Sequence, residues 1–338
     1  MSTRPPALPR APGSLGCRAR APAIWASVAL AALATCRTCR AETPAPAWTV
    51  PRFAFRIDND FLAGTDAQYS SGLALAYAWP AHAQVDGQGH WTSRNQVFGL
   101  QQSIYTPEKN TAAPDRPYAA TLVAAWSYNL RTPDRLSSLT VAGGVIGPSA
   151  KGEQVQNGFH RLFGSDRRQG WDEQVNDRLL LNADYQWLSR GRSWPLAARS
   201  AALVYGGGAS LGNLRDEVHA DVQVRWSRSL PEDFGSVPSH ALGTALAPAP
   251  AASMGGHAPV WSLFGTIGRN WYDAPLASAP AHGPRRIDAE PWRWQWGGGL
   301  ELRHGRWRLD AALVLAGPEY RQQAGPTRYV QVLVRRDR

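Results

Sequence analysis

In segments spread from residue 53 to the C-terminus, large apolar side chains recur at every second position. In Val218-His219-Ala220-Asp221-Val222-Gln223-Val224-Arg225-Trp226 each apolar residue alternates with a polar one. In Ser71-Gly72-Leu73-Ala74-Leu75-Ala76-Tyr77-Ala78-Trp79, large residues on one face alternate with tiny ones on the other. A period of two is the signature of a strand with two unlike faces. A water-soluble sandwich turns its large apolar face inward, whereas a membrane barrel turns it to lipid and fills the lumen with polar or small residues. Twelve segments carry the pattern: 53–61, 70–79, 95–105, 120–130, 137–147, 177–188, 199–211, 217–228, 260–272, 292–303, 306–317 and 327–336. Most are close to the ~10 residues that a tilted strand needs to cross the hydrocarbon layer. The pattern therefore predicts an all-β fold, a twelve-stranded antiparallel transmembrane β-barrel. After residue 41 no stretch is long and apolar enough for a transmembrane helix.

Tryptophan placement agrees. Trp79, Trp126, Trp187, Trp226, Trp261, Trp271, Trp292 and Trp307 fall at or near predicted strand ends, where indoles favour the headgroup level. One feature departs from the usual barrel: the chain ends Val334-Arg335-Arg336-Asp337-Arg338, without a terminal aromatic. Two long connections stand out, roughly 148–176 and 229–259. The second is rich in Pro, Ala and Gly and reads as a mobile surface loop.

The first forty or so residues read differently. Arg4, Arg10, Arg18 and Arg20 precede an apolar run from about Ala21 to Ala34, and no acid occurs before Glu42. With small residues at Cys39 and Ala41, this is the pattern of a secretory signal peptide, 1–41, ahead of a barrel at 42–338. A lipoprotein box at Leu33-Ala34-Thr35-Cys36 fits poorly because of its threonine. Removing the segment takes all three cysteines with it, so no disulfide, zinc cluster or thiol nucleophile remains. It also lowers the formal net charge from +10 to +4. The basic balance that would have pointed to nucleic acid is therefore weak, and no nucleic-acid partner is expected.

Few residues outside the strands carry obvious chemistry. Gly147 to Arg161 is a polar stretch between two strands; if it forms a short helix, Gln156 and His160 lie four apart on one face. His160, with Arg161, Asp166, Asp172 and Glu173 nearby in sequence, is the best general-base candidate, a carboxylate being able to fix its tautomer. Asp58-Asn59-Asp60 with Asp66 offers the hard oxygen ligands that suit calcium, though such a run at a strand end commonly serves a turn. Ser70 falls in phase with Gly72, Ala74, Ala76 and Ala78, which places it on the lumen side. No His-Glu-x-x-His occurs, which argues against a zinc peptidase. Arg116, beside Asp115, reads either as a structural ion pair or as a phosphate contact to an anionic lipid.

Five elements occur in a shared order: Asp58-Asn59-Asp60; Thr65-Asp66 with Tyr69-Ser70-Ser71-Gly72; Gln102-Ser103-Ile104-Tyr105-Thr106-Pro107; Asp115-Arg116-Pro117-Tyr118-Ala119; and Gly147-Pro148 through Gln156-Asn157 to His160. Together they resemble the outer-membrane lipid A 3′-O-deacylases. The resemblance is specific over about 53–190. It implies calcium-dependent hydrolysis of the 3′-linked acyl or acyloxyacyl ester of lipid A in the outer leaflet of a Gram-negative outer membrane. By that likeness Asn59 and Asp60 occupy an active-site pair, and Ser70 takes the place of an active-site hydroxyl. Gln156 and His160 match the helix positions, His160 as base, and Asp60 and Asp166 match metal-associated positions. Lys109 is the lysine nearest the place of a catalytic one, at a different spacing. Beside this reading stand an outer-membrane phospholipase, a Ser70 nucleophile within the same class, a non-enzymatic porin or adhesin, and a secreted soluble β-sandwich.

Overall fold

Antiparallel pairing runs unbroken around the molecule and returns to its start. In a computed structural model, which describes residues 52–65, 67–108, 115–162, 164, 166–230, 233–235, 259–273 and 288–337, the strands are β1 (Arg52–Asn59), β2 (Gln68–Ala78), β3 (His82–Val85), β4 (Trp91–Thr106), β5 (Ala119–Arg131), β6 (Arg135–Ile146), β7 (Arg178–Leu196), β8 (Arg199–Gly212), β9 (Asp216–Ser227), β10 (Val260–Asp273), β11 (Trp292–His304), β12 (Trp307–Ala316) and β13 (Thr327–Asp337). Among the described residues one α-helix, α1 (Gly152–Leu162), interrupts them. Consecutive strands pair except β2 and β3, β1 pairs with β13, and β2 pairs with β4, so the sheet closes and leaves no long open edge. The predicted signal segment, 1–41, lies outside the described residues.

Thirteen strands occupy twelve places. Residues 82–85 and 68–78 pair with successive parts of β4, at 91–94 and 97–106, so β3 continues the line of β2. The break falls at Trp79-Pro80-Ala81, where Pro80 has no N–H to give to the ladder. All four residues of β3 are exposed, which is why alternation did not reveal it. β7 also runs past its predicted end. Its register with β8 shifts between Arg190 and Ser193, and that slip breaks the period-two pattern near residue 188.

The two faces divide as a membrane barrel requires. Phe53, Phe55, Leu75, Phe98, Leu100, Val141 and Leu181 stand exposed on the outer surface. Arg56, Asp58, Asn95, Asn129, Gln223, Arg225, Glu301 and Arg335 are buried in the lumen with small residues such as Ala74 and Ala76. The apolar outer surface excludes the soluble sandwich. The connections 132–134, 197–198 and 305–306 lie at one end with the start of β1 and the end of β13, and the longer 60–67, 147–177 and 317–326 at the other. Short turns mark the periplasmic end of such barrels and long loops the outer end.

At the short-turn end, part of the β9–β10 connection folds into the barrel. The Asp233 carboxylate accepts from Arg225 (2.7 Å) and Arg308 (2.5 Å). Burial opposes its ionisation, but Arg225, Arg308, Arg335 and Arg303 outweigh that and hold its carboxyl well below the usual range. Phe234 packs with Leu136, Leu188 and Val204 from the inner wall. The remainder of that connection, which the sequence marks as mobile, lies largely outside the described residues.

Candidate active site

The loop between β6 and β7 leaves the rim and doubles back outside the wall. Gly147 turns it with φ +108°, and a Cβ there would lie 2.7–2.8 Å from main-chain atoms of Val175, Asn176 and Asp177, so only glycine lets the two stems of the loop meet this closely. Ser149 binds the stems together, its N–H and hydroxyl each donating to Asp177 at 2.8 Å. α1 then begins at Gly152, with Glu153 in its first turn and His160 and Arg161 in its last, each suited to the helix dipole.

Alternation along β4 shows which side of the wall the helix takes. Ser103 and Tyr105 line the lumenal cavity, so Ile104 and Thr106 face outward, yet both are fully buried. Ile104 sits in a cluster with Tyr118, Ala120, Ala150 and Trp171, and α1 packs against β4 and β5. Gly152 makes the seat close: a Cβ there would lie 2.3 Å from the Ala120 Cβ and 2.7 Å from the Trp171 ring. Gln102 donates its amide to the Ala150 carbonyl at 2.5 Å and pins the start of the helix to the wall.

Hydrogen bonds on this outer site determine which atoms remain available. His160 Nδ1 is bonded to the main-chain carbonyl of Asp166. A carbonyl only accepts, so Nδ1 carries the proton and a neutral ring has its lone pair on Nε2. The sequence suggested a carboxylate in that orienting role; a peptide oxygen fills it. One turn earlier, Gln156 Oε1 accepts from the Trp171 indole at 3.0 Å, which leaves the amide hydrogens of Gln156 as donors. Asn59 repeats the arrangement, its Oδ1 receiving the Leu62 N–H at 3.4 Å.

Ser70 is not where its phase predicted. Tyr69 pairs with Tyr105 and Ser71 with Ile104, so Ser70 is the extra residue of a β-bulge. Tyr69 lines the lumen, and the Ser70 hydroxyl instead bonds to the outward-facing Thr106 at 2.6 Å. The bulge has transferred Ser70 from the lumen to the helix side of the wall. It is held from within: Tyr69 donates to Asp58 at 2.7 Å, and its hydroxyl fills the place where a Gly72 Cβ would stand.

Asp60 is buried in the β1–β2 turn. Its Oδ2 accepts the Ala67 N–H at 2.7 Å, and its N–H donates to the Ser70 carbonyl at 3.3 Å. The Asp166 side chain is exposed. These oxygens suit a hard cation in kind. Among the described residues, however, no three His, Cys, Asp or Glu side chains converge as a metal cluster. Two carboxylates would leave most of a calcium shell to main-chain carbonyls and water.

Arg116 belongs to the other side of the wall. It is fully buried, donates to Glu319 at 3.0 Å and lies 4.6 Å over the Tyr105 ring. The sequence offered a structural ion pair with the neighbouring Asp115; the acid that Arg116 pairs with is Glu319, brought to it from the far end of the chain. Lys109 lies outside the described residues. Arg293 also donates to Glu319, at 2.8 Å. Burial disfavours the Glu319 carboxylate, but Arg116 and Arg293 outweigh it and lower its pKa. A lowered folded value stabilises above the unfolded carboxylate range, about pH 4.3, and that support disappears as pH falls through the folded value. Urea unfolding of the wild type and Glu319→Gln is thus expected to differ at about pH 7 and to converge at about pH 3.

Sequence reasoning missed Thr106, Trp171 and Gly152. Gln102 and Thr106 stand in a recognised motif, but nothing in the local pattern says that a strand's outer face will be covered by a loop 40 residues downstream.

The comparisons with known proteins concern the family and the fold. The family model described as outer membrane protein LpxR matches residues 24–336. The solved structure of LpxR from Salmonella typhimurium superposes with a TM-score of 0.67 at 19% identity, covering 84% of this chain and 99% of that one. The β domain of the Bordetella autotransporter BrkA gives a TM-score of 0.45 at 8% identity, covering 86% and 99%. No curated protein matches. A closed twelve-place barrel with one helix outside its wall, and a family match over nearly the whole chain, establish that the protein belongs to the outer membrane protein LpxR family.

Proposed function

We propose that the protein is a lipid A 3′-O-deacylase acting at the outer leaflet. The observation that carries this reading is the hydrogen bond from His160 Nδ1 to the Asp166 carbonyl, which leaves Nε2 as a base on the lipid side of the barrel. Membership of the LpxR family supports a lipid A-modifying role, and a lipid substrate reaches an outer-wall site directly from the membrane.

In this reading Nε2 takes a proton from water as the water oxygen attacks the ester carbonyl carbon. The amide hydrogens of Gln156 and Asn59 are the donors available to the oxygen that becomes negative. Collapse breaks the bond between the acyl carbon and the sugar oxygen, which receives the proton back from His160 and leaves as a hydroxyl; the acyl chain departs as a carboxylic acid, which loses its remaining proton to water. Eight residues at ~1.5 Å each set His160 about 12 Å from Gly152 along the helix, and two strand steps of ~4.8 Å separate β5 from β2. A calcium ion held by Asp60 and Asp166 would supply Lewis-acid stabilisation of the oxyanion.

Mass spectrometry of lipid A from cells expressing the protein is expected to show loss of a 3′-linked acyl or acyloxyacyl unit. Unchanged lipid A with altered phospholipids would transfer the reading to an outer-membrane phospholipase. Calcium chelation is expected to abolish acyl release by the purified protein, and added calcium to restore it; activity that survives chelation removes the ion from the reading. Ser70 on the helix side of the wall keeps a covalent mechanism in view. An acyl group trapped on Ser70 would replace the water mechanism with that one.

A further inference from the structure

The outer surface carries an arginine with no acid to neutralise it, at the end opposite α1. Arg199 is the first residue of β8, and its guanidinium lies 4.3 Å from the Trp226 ring and 4.2 Å from the Trp261 ring. Val204 faces the lumen, so Arg199, five residues earlier, faces outward; Trp226 and Trp261 share that outer face on β9 and β10. Leu263, directly opposite Trp226, and Val224 are exposed apolar residues of the lipid-facing surface. Arg199 has no carboxylate partner among the described residues. Its Nη1 is shut off from solvent without an acceptor, and so is the Trp226 indole N–H.

We propose that Arg199, Trp226 and Trp261 form a binding site for the phosphodiester of a glycerophospholipid in the periplasmic-side leaflet. An arginine stays charged at any relevant pH; Arg199 is only half-buried, so the open part of its guanidinium can meet an anion from the surroundings. The surroundings at this depth are lipid headgroups. Two indoles fix the guanidinium plane by cation–π contact, which orients its N–H edge for an anionic oxygen. The site stands a full barrel length from α1, so it is separate from the proposed ester-hydrolysis site and independent of that reading.

Native mass spectrometry of the detergent-purified, delipidated barrel tests it, with phosphatidylglycerol, diacylglycerol of the same chains, and inorganic phosphate as probes. Phosphatidylglycerol is expected to be retained and diacylglycerol not. Inorganic phosphate at equal concentration is expected to leave the lipid adduct in place. Arg199→Gln, shown to be folded by its migration on an unheated SDS gel, is expected to weaken retention by about tenfold. Arg199→Lys keeps the charge and loses the stacked plane, and is expected to weaken it by less than Arg199→Gln but measurably. Arg269→Gln, which removes the arginine stacked on Trp292 and Trp294 near the other end, is expected to leave retention unchanged. Equal retention of phosphatidylglycerol by wild type and Arg199→Gln would overturn the proposal. So would retention of diacylglycerol as strong as that of phosphatidylglycerol, or displacement of the lipid by inorganic phosphate.

Discussion

Replacing His160 with alanine is expected to lower acyl release from lipid A by about 10²–10⁴-fold, the usual contribution of a positioned general base. The barrel should be unaffected, because His160 lies on the outer helix and its recorded bond is local, to Asp166 six residues along. Folding is checked by heat-modifiable migration on a gel and activity by mass spectrometry of lipid A mixed with the purified variant. A folded His160→Ala that deacylates at the wild-type rate would remove the imidazole from the chemistry. The orienting half can be tested separately. His160→Gln places a side-chain amide near the Asp166 carbonyl but supplies no basic nitrogen, and is expected to be as inactive as alanine.

The second large effect is expected from Gly152→Ala. An alanine is favoured over glycine within a helix by up to about 1 kcal/mol, and less at a first turn such as this one. Against that stands a Cβ placed 2.3 Å from Ala120 Cβ and 2.7 Å from the Trp171 ring. Neither neighbour is the loose end of a long side chain, and overpacking of this kind costs about 1–3 kcal/mol. The clash wins, and the helix loses its seat on β5 rather than the barrel its closure. A shift of 1–2 kcal/mol reduces the docked population by about 5- to 30-fold. Activity is expected to fall with it, while unfolding of the barrel in urea is unchanged. Gly158 is the control: a Cβ there meets nothing within 4 Å, so Gly158→Ala should leave activity at or above the wild-type level.

The barrel was legible because its strands have two unlike faces, and period two survives any amount of sequence drift. What hid from that reading were the places where the period slips. At Ser70 one extra residue in β2 reverses the phase, so a correct strand yielded the wrong face for its most interesting hydroxyl. At Arg190–Ser193 the same kind of slip concealed the last third of β7. Asn59, Gln156 and His160 were singled out through the order of short motifs; hydrogen bonds occupy Asn59 Oδ1, Gln156 Oε1 and His160 Nδ1, and their roles in the chemistry belong to the proposal. Arg116 was ambiguous because its partner Glu319 is 203 residues away in the chain. Local sequence holds no trace of a pairing made by barrel closure. The covering of Ile104 and Thr106 has the same origin: an outward position on a barrel strand reads as lipid-facing until a loop from elsewhere lies over it.

A cylinder of twelve strands set across a membrane is a leak unless something stops it, since barrels only slightly wider conduct water freely. Here the periplasmic mouth holds Asp233, clamped by Arg225 and Arg308, with Phe234 wedged among Leu136, Leu188 and Val204. With the proposed site outside the wall, ester hydrolysis has no need of an open bore. A solute crossing the lumen would meet this ion-paired, apolar stopper at the periplasmic end.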